Sequence, residues 1–193
     1  KYTYALKTYA DYKAQILENQ FGGLLLKLND NEVWTRLIGN FNAYNLLAIY
    51  AASELLGLEN EESLRYISEL ESVSGRFEYC VSDEKITAIV DYAHTPDALK
   101  NVLETINLLK TESAGDTPTI GVVMSPFSLP VMQMGFDKYL DLMLENPALF
   151  DQLMRVNEEF CVEWANAQLA AGATAICYFG PVSSPSRVPR EMY

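Results

Sequence analysis

Asp91, Tyr92 and His94 stand within four positions of one another and bring together a carboxylate, a phenol and the only imidazole of the chain. They follow the apolar run from Ile86 to Val90 and precede a helix-like run from Leu99 to Ile106. Strand, polar turn and helix is the order in which α/β proteins place ligand groups, because loops at the carboxyl ends of strands converge over the sheet edge. A plainer reading stays open beside it: Asp91 ends the strand, and Thr95 or Asp97 caps the next helix with Pro96 at its start.

Two further groups carry chemistry. Asn42 and Asn45 are three apart at the start of a predicted helix, so both carboxamides leave one face of its first turn. A donor and an acceptor side by side match an adenine edge. The alternative is an N-cap at Asn42 with Asn45 as a solvated neighbour. Arg76 follows Gly75 at a turn before a strand, where a guanidinium could grip phosphate oxygens or serve as a surface ion-pair partner. Asp91 could accept hydrogen bonds from two ribose hydroxyls. Together these residues form a nucleotide-shaped set.

The elements that must position them follow from patterning. Tyr4 to Leu6 is apolar, a polar segment follows, and Gly22 to Leu28 and Glu32 to Leu37 flank an Asn29-Asp30-Asn31 turn, which predicts a hairpin. Apolar residues recur at helical spacing from Asn42 to Leu56 and stop at Gly57. A second helix is expected over 61–70, with Glu61 and Glu62 at the positive end of its dipole. Residues 72–80 lead to the strand before Asp91, the following helix ends near Lys110, and 111–118 has linker composition. Beyond it, Thr119 to Met124 and Thr174 to Phe179 read as buried strands. Between them lie a Pro-bracketed turn, a helix over 136–144 and a long helix over 148–169. That succession makes a parallel βαβ unit, found in (β/α) barrels and in open α/β sheets. Met124, Met132, Met134 and Met143 are read as core packing.

The chain has 193 residues, 49% of them hydrophobic, enough for one large domain or two small ones. A net charge of −12 argues against a nucleic-acid backbone or an anionic membrane as partner, since both would repel it. Cys80, Cys161 and Cys177 are widely spaced and odd in number, so neither a disulfide framework nor a zinc knuckle is indicated. Buried thiols in a reducing cytosol, and hence a cytoplasmic location, are the expectation. No run of about 18 apolar residues and no leader is seen. The start at Lys1 suggests a fragment, a processed start or a trimmed chain.

Residues 1 to about 107 resemble the Mur ligases, specifically the UDP-N-acetylmuramoyl-tripeptide synthetase type. The matching stretches are 37–48 with Gly39, Phe41, Asn42 and Asn45, then 74–78 with Gly75, Arg76 and Phe77, then 89–99 with Asp91, Tyr92, His94 and Thr95. The resemblance implies that Asn42 and Asn45 lie beside the adenine of ATP, Arg76 reaches its phosphates and Asp91 binds its ribose, with Tyr92 and His94 lining the same site. It implies a central ATPase domain over 1–71 and the start of a Rossmann-like C-terminal domain over 72–110. It further implies a reaction in which ATP and Mg²⁺ activate the carboxylate of a UDP-muramoyl-peptide for attack by an amine. No G-x-x-x-x-G-K-[ST] phosphate loop occurs in the sequence, so weak nucleotide contact without ligation is expected.

From about Asp116 to Tyr193 the chain is similar to the uroporphyrinogen decarboxylase superfamily, and especially to its corrinoid:coenzyme M methyltransferases. The residues are 120–130, then Asn157 to Cys161, 171–176 and Ser183-Ser184-Pro185. That resemblance implies a (β/α)₈ barrel, of which 119–193 would supply about two strands, after a junction at 111–118. Those methyltransferases hold zinc with a His-x-Cys and a later Cys, whereas this chain has no His beyond residue 94, and Gly180 stands where an acidic residue is expected. The expected class is therefore α/β, with part of a Mur ligase followed by a partial barrel segment, joined as a chimera of two gene pieces. The leading expectation is an inactive fragment of an ATP-dependent peptidoglycan-precursor ligase that keeps part of its ATP site. The alternatives are a zinc- or corrinoid-dependent methyltransferase or decarboxylase fragment, or a non-catalytic binding module.

Overall fold

The computed structural model describes residues 1–83, 86–91 and 93–182. The chain divides into two compact units, Lys1–Glu112 and Ser113–Tyr193.

The first unit is built on a four-stranded sheet in the order β1-β2-β3-β4, with β1 Tyr4–Ala5, β2 Tyr12–Gln20, β3 Gly23–Leu28 and β4 Asn31–Thr35. β3 and β4 form the expected hairpin, antiparallel from Leu24 opposite Thr35 to Leu28 opposite Asn31, with Asn29 in the left-handed region at φ 50°. Short carboxamide side chains tolerate that conformation better than other residues. Gly23 is required for a different reason. Its φ is +145°, and a Cβ there would collide with the Thr35 carbonyl of β4.

The polar segment, to which the sequence assigned no element, is the nine-residue β2. Ala14 and Ile16 turn inward while Lys13, Gln15 and Leu17 turn out, and a register shift between Ile16 and Glu18 interrupts the alternation. One extra residue in a strand breaks its period of two and so hides the signal.

Leu24, Leu26 and Leu28 of β3 are fully buried against α1, Asn40–Leu55, through Ala43, Leu46, Leu47 and Tyr50. α2, Asn60–Glu69, adds Ile67 to the same core. A hairpin of β5, Glu78–Val81, and β6, Thr87–Val90, and the helix α3, Pro96–Glu112, complete the unit. α3 therefore extends through Thr111 and Glu112, which the sequence assigned to the linker.

The second unit is a parallel βαβ arrangement. β7, Ile120–Met124, pairs in register with β8, Ala175–Phe179, from Ile120 opposite Ala175 to Met124 opposite Phe179. Between them run α4, Leu129–Met134, α5, Phe136–Glu145, and α6, Pro147–Ala171. α6 starts where Asn146 Oδ1 accepts from the Leu149 amide at 3.2 Å, and Pro147 occupies its first turn, as its missing N–H allows. It lies on the sheet through Cys161, whose thiol donates to the Met124 carbonyl, and Gln168, whose amide donates to Val122. Phe127, Tyr139, Met143 and Val182 form a second small core.

Three expectations are corrected in this unit or beside it. β7 and β8 are not buried strands: Ile120 is 65% exposed, Val122 58% and Tyr178 64%. A two-stranded sheet covered by one helix leaves its other face open, and an apolar run does not reveal how many faces are covered. Met132 is 66% exposed and so is not core, whereas Met143 is buried as expected. Of the three cysteines only Cys161 is buried, and Cys80 and Cys177 are exposed. The stretch Ser183-Ser184-Pro185 lies outside the described residues.

Candidate functional site

Val73, Ser74, Gly75 and Arg76 form a tight turn closed by the Arg76 amide donating to the Val73 carbonyl at 2.8 Å. Its third position needs a positive φ, and Gly75 supplies +70°. Glu78 clamps the turn from below, accepting from the Gly75 amide at 2.8 Å and from Ser74 Oγ at 3.0 Å. Those bonds stabilise the carboxylate and hold its pKa below the ordinary Glu value, the Gly75 amide being the larger cause. Arg76 is placed at the exit of the turn with its side chain exposed.

Phe77 follows at φ 52°, buried at 4% exposure. Its amide donates to Asp91 Oδ1 at 3.2 Å, which ties the entrance of β5 to the exit of β6. The antiparallel register, Glu78 opposite Val90, puts Arg76 and Asp91 at the same end of the hairpin. The ring of Phe77 meets that of Phe41 edge to face, with centroids 5.6 Å apart. Phe41 belongs to the first turn of α1, so this one aromatic contact brings the hairpin end to the residues beside Asn42.

α1 is not capped by Asn42. Gly39 is the N-cap, without a side-chain hydrogen bond, and its φ of +91° together with the closeness of the Phe41 ring leaves no place for a Cβ. Asn42 lies within the first turn and donates through Nδ2 to the Ile38 carbonyl at 2.8 Å. Asn45 donates through Nδ2 to Asn42 Oδ1 at 3.2 Å, so the two carboxamides form the paired group that their spacing suggested. Each NH₂ has a second hydrogen, and Asn45 Oδ1 remains an acceptor.

His94 is exposed and sits just before the start of α3. Thr95 caps that helix, its Oγ1 accepting from the Ala98 amide at 3.3 Å, with Pro96 at the first position. Thr95 thus does what the plainer reading assigned to it, and Asp91 does more than end a strand. Tyr92 lies outside the described residues. Among the described residues no group of three or more His, Cys, Asp or Glu side chains is placed to hold a metal ion. Sequence reasoning missed Ser74 and Glu78 as the clamp that shapes the turn. The signal was there in a Ser-Gly pair with a carboxylate three residues after the glycine.

Comparison with known proteins gives two families. A family model, Uroporphyrinogen decarboxylase (URO-D), matches residues 74–193, a span that begins well before Asp116. The UDP-N-acetylmuramoyl-L-alanyl-D-glutamate–2,6-diaminopimelate ligase of Cytophaga hutchinsonii is 55% identical over 109 residues, 56% of this chain and 22% of that relative. The chain thus spans about a fifth of the length of the curated relatives it matches. Among solved structures, UDP-N-acetylmuramate-alanine ligase MurC from Thermotoga maritima superposes with a TM-score of 0.59 at 19% identity, covering 97% of this chain and 41% of that one. MurF from Acinetobacter baumannii gives 0.57 at 14% identity, over 95% and 38%. At such identities the likeness is one of fold alone, a mixed α/β fold shared with Mur ligases. The chain belongs to the uroporphyrinogen decarboxylase family by a match over residues 74–193, and its first 107 or so residues are similar to Mur ligases.

Proposed function

We propose that the first unit is a piece of an ATP-dependent peptidoglycan-precursor ligase and that its hairpin end and α1 form the adenosine-side corner of an ATP site. The observation that carries this is the pair of contacts made by Phe77, its amide on Asp91 and its ring on Phe41, which set the hairpin end that carries Arg76 and Asp91 beside the first turn of α1. The donor set fits a nucleoside. Asn42 and Asn45 offer an acceptor and two N–H hydrogens to a purine edge. Asp91 has committed Oδ1 to Phe77, and Oδ2 is available to a ribose hydroxyl. The exposed Arg76 guanidinium, one residue from Phe77, suits a phosphate. Tyr92 and His94, next to Asp91 in the chain, would line the same corner.

In the parent ligase the partners would be ATP with Mg²⁺ and a cytoplasmic UDP-muramoyl-peptide, and ATP supplies the activation of a carboxylate. The residues of this chain bind and orient the nucleoside. These residues supply contacts to a nucleoside, so nucleotide binding is the activity proposed for them, and the join of a ligase-like stretch to a barrel-family stretch supports reading the chain as a chimera.

Calorimetric titration of the whole chain with ATP tests this. Saturable binding with a millimolar Kd is expected, weakened about tenfold in Asp91→Asn and in Arg76→Ala, a loss of ~1.4 kcal/mol each. Asp91→Asn keeps an oxygen for the Phe77 amide, so lost affinity there is not lost folding. No binding at millimolar ATP would sink the proposal.

The family match over 74–193 favours a second reading, a fragment of a methyltransferase or decarboxylase barrel. Stoichiometric zinc after dialysis against the metal, or a spectral shift of an added corrinoid, would support it over the first.

A further inference from the structure

Arg76 stands between two residues in the left-handed region, Gly75 at φ 70° and Phe77 at φ 52°. That conformation is uncommon for a residue with a bulky side chain, so something must hold the backbone there. A carboxylate does so on each side of Arg76. The Gly75 amide donates to Glu78 Oε2 at 2.8 Å, and the Phe77 amide donates to Asp91 Oδ1 at 3.2 Å. Ser74 Oγ donates to the same Glu78 oxygen at 3.0 Å, and the amide of Arg76 itself closes the turn on the Val73 carbonyl. The consecutive amides of residues 75, 76 and 77 are thus all committed, and the backbone that carries an exposed guanidinium is pinned along its length.

Glu78 has the wrong sign for a site that takes phosphate. A carboxylate two residues from Arg76 repels an anion, so a benefit from Glu78 must come through the geometry it imposes and not through its charge. Both of its bonds fall on one oxygen and both go to the turn. Gly75 is the residue of the turn with the widest choice of backbone conformation, and its amide is the one that Glu78 holds. Without that acceptor the turn samples other conformations and the guanidinium searches a larger volume, which a ligand must then restrict at the expense of affinity.

We propose that Glu78 is a positioning residue for the phosphates of the nucleotide: by holding the Ser74-Gly75 turn it aims the Arg76 guanidinium, and it touches no part of the ligand itself. The inference rests on the nucleotide reading of the hairpin end and adds to it a division of labour between two carboxylates. Asp91 keeps one oxygen for the ligand, whereas Glu78 serves the backbone.

NMR titrations of the whole chain with ATP and with adenosine, which has no phosphate, provide the test. Glu78→Ala is expected to weaken ATP about fivefold and to leave adenosine unchanged, because only the phosphates use Arg76. Glu78→Gln keeps an oxygen for the Gly75 amide and for Ser74 Oγ and removes the charge, so it should bind ATP at least as tightly as the parent chain. In the Arg76→Ala background Glu78→Ala should add nothing, since the two residues act as a unit. Tighter ATP binding in Glu78→Ala would reduce Glu78 to a repelling charge. Equal losses for ATP and adenosine, or additive losses in the double variant, would make it a support of the hairpin as a whole and overturn the assignment. A parent chain that binds adenosine as well as ATP would overturn it too while leaving the nucleoside corner in place, whereas binding of neither ligand would remove the nucleotide reading itself.

Discussion

At the scale of single residues the corner around Phe77 depends on carboxylates that accept backbone amides. Asp91→Ala would leave the part-buried amide of Phe77 without its acceptor. A destabilisation of about 1 kcal/mol is expected in urea unfolding, recovered in Asp91→Asn, which keeps an oxygen at the same place. Glu78 gives a pH signature. Its folded pKa is depressed below the ordinary 4.5 by the Gly75 amide and then by Ser74 Oγ, so its contribution is present above that value and is lost as pH falls through the folded pKa. Carbon-detected NMR titration should place its midpoint below 4.5, and Ser74→Ala should move it back up. A midpoint unchanged by that substitution would remove the hydroxyl from the clamp.

Single residues also show where sequence legibility stopped. Asn42 was open between a cap and a functional amide, because both roles put a carboxamide at a helix start. The structure gives the cap to Gly39, since the chain enters α1 at a positive φ and only then turns helical. The exposure of Cys80, Cys177 and Met132 was equally invisible. Their types are usually buried, but which face of a strand or helix is covered depends on what packs there.

Among elements, helix limits were well marked by local chemistry. Thr95 and Asn146 each supply an oxygen to the third amide of their helix, and each precedes a proline. Thr95→Ala and Asn146→Ala should each cost about 1 kcal/mol, read as a lower thermal midpoint and as faster amide exchange in the first turn of α3 or α6. Strands were less legible. β3 and β4 declared themselves by an Asn-Asp turn between apolar runs, whereas β2 was concealed by its bulge and by the polar face it turns outward. β7 and β8 were found but misplaced in depth, because continuous apolar runs look the same whether one face is covered or two.

For the whole molecule, two cores in two units define where large effects lie. Leu46 is fully buried between α1 and the sheet, and Leu46→Ala should cost about 2–5 kcal/mol, seen as lost exchange protection throughout β3 and α1. Protection unchanged in those elements would mean that this cluster is not the core of the first unit. The two family likenesses overlap between Ser74 and about residue 107, the hairpin and most of α3, so Arg76, Phe77 and Asp91 fall in the stretch that both share, whereas Phe41, Asn42 and Asn45 fall in the ligase-like stretch alone.

By itself the sequence determined the class of the fold, the hairpin turn, the proline-marked starts of α3 and α6 and both family likenesses, because each rests on local spacing or on short motifs. The tertiary structure decided the rest. That the hairpin end carrying Arg76 and Asp91 lies beside the first turn of α1 follows from a strand register and one aromatic contact between residues 36 positions apart, a relation that no local pattern encodes. The depth of β7 and β8 was settled in the same way, since burial is a property of neighbours brought close by folding and not of the residues alone.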